Sequence, residues 1–111
     1  MSVYFVAQWS VRQPEVAECE KALAKISEHI KEDHPSIKSV QVFRQVWGPY
    51  ARRAYFWLEE YESLSALESE RSTPACAKVW KPIESAAQDG TYVCSIWSDP
   101  NRALWFNREK E

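Results

Sequence analysis

The stretch Ser36–Tyr61, SIKSVQVFRQVWGPYARRAYFWLEEY, decides how this chain folds. Val, Phe, Tyr and Trp crowd both arms, while Gly48-Pro49 breaks the middle, so it reads as two strands joined by a turn. In the first arm Val40, Val42 and Val46 share a face with Arg44, and Gln41, Phe43, Gln45 and Trp47 share the other. In the second arm Ala54, Phe56 and Leu58 oppose Arg53, Tyr55, Trp57 and Glu59. The Val face and the Ala-Phe-Leu face are expected to lie under helices. That sends Gln41, Gln45, Trp47, Tyr55, Trp57 and Glu59 to the far side of the sheet.

Upstream, Val3 to Val11 reads as a strand with one wholly apolar face (Val3, Phe5, Ala7, Trp9, Val11) and one mixed face (Tyr4, Val6, Gln8, Ser10). A helix follows, with Pro14 at its first turn and Glu15 and Glu18 at the positive end of its dipole. Val16, Cys19, Leu23, Ile26 and Ile30 recur at helical spacing, and Pro35 stops the helix near Asp33 or His34. Downstream, Leu64 and Leu67 edge a short helix that starts at Ser63 or at the capping box Ser65-x-x-Glu68. Thr73-Pro74 starts another, striped by Cys76, Val79, Trp80, Ile83 and Ala87. Asp89-Gly90 ends it, Thr91 to Trp97 forms a last strand, and a tail from Ser98 carries Leu104, Trp105 and Phe106.

The predicted order is strand, helix, strand, strand, helix, strand. This is an α+β, ferredoxin-like β-α-β-β-α-β sandwich: a four-stranded antiparallel sheet with helices on one face. The other face, carrying Trp47, Tyr55, Trp57 and Trp97, is left open. Two copies closing sheet on sheet into an α/β barrel would cover it, with the tail of residues 98–111 packing on the partner.

With 111 residues the chain fits a single domain, 1–111. A net charge of −2 lacks the basic footprint of a nucleic-acid binder. No stretch approaches the roughly 20 apolar residues of a membrane span. The opening residues lack the basic start of a signal peptide, and Cys19, Cys76 and Cys94 are odd in number and widely spaced. A cytoplasmic protein with reduced thiols is expected. Six Trp, five Tyr and four Phe are a heavy aromatic load, suited to an interface or a ligand pocket.

The passage Ala54–Ser85, AYFWLEEYESLSALESERSTPACAKVWKPIES, together with the element order, resembles the dimeric α/β-barrel superfamily. Its members include antibiotic-biosynthesis monooxygenase-like, NIPSNAP-like and stress-responsive barrel domains. The resemblance implies a homodimer, with a small hydrophobic ligand held between sheet and helices. Cofactor-free oxygenases of the group take the proton of a phenol or quinol, let the substrate carbanion reduce oxygen, and lean on an Asn, Trp and Tyr set. Trp47, Trp57 and Tyr55 here match the aromatic part and Gln8 stands for the amide, since Asn101 and Asn107 fall in the tail. Haem-degrading relatives use a helical His as iron ligand, and the last helix contains none. No cofactor is implied.

The expected catalytic set is therefore Gln8, Tyr55, Trp57 and Glu59, and the expected pocket is Tyr4, Gln41, Gln45, Trp47 and Trp97. Glu59 suits a general base if buried; otherwise Arg52 and Arg53 make it part of an ion pair at the sheet edge. The aromatic set reads equally as dimer-core packing, and the glutamines as partners across the dimer. Arg44 is expected to snorkel from an edge strand. His29 and His34, five residues apart, are expected to be solvent-exposed caps and not metal ligands. Cys94 is expected to be a small core residue. The reading is a small-molecule, monooxygenase-like enzyme acting on a hydrophobic or phenolic substrate. The alternative is a non-catalytic ligand-binding or structural homodimer.

Overall fold

The computed structural model describes residues 2–99. The first strand is β1 (Val3–Ser10); a 3-10 turn at Gln13–Glu15, carrying Pro14, leads into α1 (Val16–Asp33). Then come β2 (Ile37–Arg44), β3 (Ala54–Tyr61), α2 (Leu64–Arg71), α3 (Pro74–Ala86) and β4 (Val93–Ser98). The strands pair antiparallel in the order β2-β3-β1-β4, so β3 and β1 are central and β2 and β4 are edges. This is the predicted ferredoxin-like arrangement. The tail residues Leu104, Trp105 and Phe106, and Asn101 and Asn107, lie outside the described residues.

Local chemistry accounts for most of the boundaries. Ser63 caps α2 by accepting from the Ala66 amide at 3.1 Å, so Ser63 is its start and not Ser65. Thr73 does the same for α3 through the Cys76 amide, with Pro74 in the first turn. The predicted stripes of the two long helices meet over the sheet: Cys19, Leu23, Ile26 and Ile30 of α1 and Cys76, Trp80 and Ile83 of α3 are all buried in one core.

The register corrects the expected faces of β3. Phe5 stands opposite Glu59, Ala7 opposite Trp57 and Trp9 opposite Tyr55, so Tyr55, Trp57, Glu59 and Tyr61 share the helix-covered face with the apolar side of β1. Ala54, Phe56 and Leu58 face the open side instead. Because the strand period is two, placing one residue places all of them. The three aromatics bury more area than Ala, Phe and Leu, and their polar tips find partners inside. Trp9 stacks on Tyr55 at 5.7 Å, and Trp80 meets the edges of Trp57 at 5.0 Å and Trp9 at 6.1 Å. Tyr55 and Trp57 thus join Trp9 and Trp80 in the space that Ala54, Phe56 and Leu58 were expected to fill.

Strand position accounts for one smaller correction and for one expectation that holds. Cys94 points to the helix side but sits on edge strand β4, beyond the helices, and is exposed. Arg44, on edge strand β2, extends outward as expected and pairs with Glu20 at 3.0 Å.

Candidate active site

Glu59 lies in the middle of a central strand and is 1% exposed. Removing a carboxylate from water costs several kcal/mol, and each hydrogen bond to the charge returns about 1.5–3 kcal/mol. Three donors converge on it: Trp57 Nε1 at 2.7 Å, Tyr61 OH at 2.6 Å and Arg71 Nη1 at 3.3 Å. Trp57 and Tyr61 flank Glu59 two residues away on the same face, so β3 supplies both neutral donors by its pleat alone. Arg71 comes from the last residue of α2, where a cation also suits the helix dipole. Its guanidinium sits 3.6 Å over the Phe5 ring and 5.3 Å from that of Trp80, so the charge is sandwiched by aromatic faces. The ion pair of Glu59 is thus with Arg71 in the core, and not with Arg52 or Arg53 at an edge.

The phenols around this core are held neutral. Burial raises the Tyr61 hydroxyl far above its ordinary range, helped by the negative charge of Glu59. Burial does the same for Tyr55, whose hydroxyl donates to Glu20 Oε2 at 2.8 Å. Both are donors and not bases.

A second polar group adjoins the first. His34 lies just past the end of α1 with φ −130° and ψ 74°, a turn that folds its ring back beside the helix. Its Nε2 is 3.0 Å from His29 Nε2, and its Nδ1 is 2.9 Å from Glu70 Oε2. Glu70 is anchored through Oε1 by the Ser36 amide at 3.1 Å and by the Ser36 hydroxyl. The expectation of two exposed caps is therefore overturned for His34, which is 8% exposed. The five-residue spacing keeps two rings apart only while both are helical, and His34 is not. Among the described residues no group of three or more His, Cys, Asp or Glu is arranged to hold a metal ion.

Both groups line one small cavity of about 10 Å³, walled also by Ile30, Ile37, Cys76 and Val79. Arg71, Tyr61 and Glu70 were not singled out from the sequence, and His34 was read only as an exposed cap. The available signal was the position of Tyr61 on the face of Glu59, and the placement of Glu70-Arg71 at the end of a short helix.

The expected site residues separate into three places. Trp57 and Glu59 meet in the core beside Tyr61, and Tyr55 lies further along the same face. Gln8 and Gln45 line a larger concavity of about 520 Å³, formed with Phe43, Phe56, Tyr50 and Thr91. Tyr55 borders it as well. Tyr4, Gln41 and Trp97 lie elsewhere on the open face; Tyr4 OH donates to Asp99 Oδ1 at 3.1 Å and Trp97 Nε1 to Ser95 Oγ at 2.7 Å. Trp47 sits in the turn between β2 and β3 and is 91% exposed. The aromatic set expected on one face is thus split by the sheet.

No family model and no curated sequence matches the chain. Solved structures do. SnoaB, a cofactor-independent oxygenase from Streptomyces nogalater, superposes with a TM-score of 0.73 at 14% identity, over 90% of this chain and 94% of that one. A candidate antibiotic biosynthesis monooxygenase from Caulobacter crescentus gives 0.73 at 21% identity, over 90% and 91%. A dimeric protein of unknown function with a ferredoxin-like fold, from Bacteroides fragilis, gives 0.70 at 12% identity, over 88% and 96%. No helix among the described residues is long and apolar enough to cross a membrane. The fold is that of the antibiotic biosynthesis monooxygenase-like, ferredoxin-fold proteins.

Proposed function

We propose that the chain is a small-molecule enzyme of the cofactor-independent oxygenase kind, acting on a hydrophobic phenolic substrate with Glu59 as proton acceptor. The observation that carries this reading is the buried Glu59 carboxylate, walled by Trp57, Tyr61 and Trp80 and steadied by Arg71. As a device for stability alone a buried ion pair does no better than apolar side chains of the same volume. A fixed carboxylate among aromatic rings is what deprotonation of a phenol needs. The description of SnoaB as a cofactor-independent oxygenase supports the same chemistry.

In this reading Glu59 takes the phenolic proton, and the phenolate places its charge on a ring carbon. That carbon reduces oxygen and becomes bonded to it, and the peroxide loses water to leave a quinone. Phenol and oxygen give quinone and water: one oxygen atom stays in the product, the other leaves in water, and all four electrons come from the substrate. Arg71, which has N–H groups beyond the one given to Glu59, supplies donors for the oxyanion. A cavity of about 10 Å³ admits a water and not a ring, so entry requires α2 to swing outward about the break at Ser72.

The protein is proposed to work as a homodimer, and three free thiols fit a reducing cytoplasm. Oxygen consumption with a panel of naphthols and quinols tests the enzyme reading. Uptake is expected and should fall about 10²–10⁴-fold in Glu59→Gln. No uptake with any member of the panel would remove it. The concavity of about 520 Å³ beside Gln8 and Gln45 favours a second reading, a ligand-binding homodimer without turnover. Quenching of Trp fluorescence by the same compounds without oxygen uptake would support that one.

A further inference from the structure

We infer that His29, His34 and Glu70 form a proton-conducting line from the surface to buried Glu59, with one water in the shared cavity as its last link. The inference rests on Glu59 being the proton acceptor proposed above.

The geometry of the line is defined by two short contacts on one ring. With Glu70 ionised, His34 Nδ1 faces Glu70 Oε2 at an ion-pair distance of 2.9 Å without an aligned hydrogen bond, so Nδ1 is the nitrogen that carries the proton on that side. Its Nε2 is then an acceptor, and His29 Nε2, 3.0 Å away, must carry the hydrogen between them. Each link has one donor and one acceptor. The chain as written passes protons inward from half-buried His29 to Glu70; with both ring tautomers reversed and Glu70 protonated it passes them outward.

The last step crosses the small cavity. Its volume of about 10 Å³ is close to the least that holds a water, and a buried water needs two to four polar partners. Two polar atoms of residues lining this cavity lack an aligned hydrogen bond among the described residues: Trp80 Nε1 and Glu70 Oε2, the latter touching His34 at ion-pair distance only. Buried polar atoms are normally satisfied, and one water bonded to both would satisfy them. Glu59 lines the same space, and in this inference that water hands the proton on between Glu70 and the Glu59 carboxylate. A structural role for the His pair explains neither the orphaned Trp80 Nε1 nor the choice of a titratable ring at 8% exposure.

The groups facing His34 are His29 on its own helix, Glu70 and Arg71 from α2, Glu59 and Tyr61 from β3, and Cys76 from α3. Nitrogen-15 spectra of the histidine rings in the full chain test the line without any substrate. Wild type should show His34 protonated at Nδ1 and accepting at Nε2. The chemical shift of the His34 Nδ1 proton should change in Glu70→Gln and, through the water, in Glu59→Gln. A His34 ring protonated at Nε2 in the neutral protein, or an Nδ1 proton signal indifferent to Glu59→Gln, would overturn the inference whatever the activity. Where phenol-dependent oxygen uptake is present, His34→Gln should lower kcat about 10²-fold with KM unchanged, and added imidazole should restore it. Absence of uptake in wild type would bear on the function of Glu59, and the ring spectra would still decide the line.

Discussion

Tyr55, Tyr61 and Tyr92 show how single residues couple this core to pH. Burial is the leading cause that raises all three phenols; Glu20, Glu59 and Cys94 respectively add to it. The neutral form is the one the fold accepts. Above about pH 10 the unfolded chain releases these protons while the fold retains them, so stability is intact below that value and falls as pH rises. An absorbance titration of tyrosinate, followed together with near-ultraviolet circular dichroism, should find these three ionising only as the fold is lost. Ionisation of all five tyrosines near pH 10 with the dichroism intact would contradict the packing around Tyr55 and Tyr61.

At the scale of elements, the short α2 and the break after it position Arg71 and Glu70, so their caps matter to the site as well as to stability. Ser63→Ala and Thr73→Ala each remove a side-chain oxygen that satisfies a helix-end amide. Each should cost about 1 kcal/mol in chemical denaturation. A loss within error for Thr73→Ala would mean that Pro74 alone sets the start of α3. Thr73 was legible in the sequence and Ser63 was one of two candidates, because a hydroxyl before a helix start has a local job. So were the strand order and the stripes, which depend on spacing alone. The face of β3 was not legible from hydrophobicity: Tyr55, Trp57 and Tyr61 look amphipathic, and only pairing with Trp9, Ala7 and Val3 shows that they face the helix-side core. Glu59 was legible as a candidate base, yet its partner Arg71 lies 12 residues away on another element. His34 was misjudged because helical spacing does not apply beyond the last helical residue.

For the whole molecule, the decisive feature is the sheet face that no helix among the described residues covers. Phe43, Val93 and Trp97 stand on it at 52%, 54% and 59% exposure, and Phe43 also lines the concavity with Phe56. Apolar exposure of this kind on one face marks an association surface. A second copy is the simplest cover, because a two-fold axis brings the same patch against itself and a stable contact needs about 800 Å² from each partner. The Bacteroides fragilis structure of the same fold is described as dimeric. Replacing Phe43 by Glu sets two carboxylates into the apolar middle of such a contact without disturbing the helix-side core, since Phe43 points away from it. Sedimentation should therefore give twice the 13.0 kDa chain mass for wild type and a folded monomer for Phe43→Glu. A wild-type monomer would assign the open face to another partner. A variant that stays dimeric would move the contact off the sheet, and Gln8 and Gln45 would then line a pocket open to solvent.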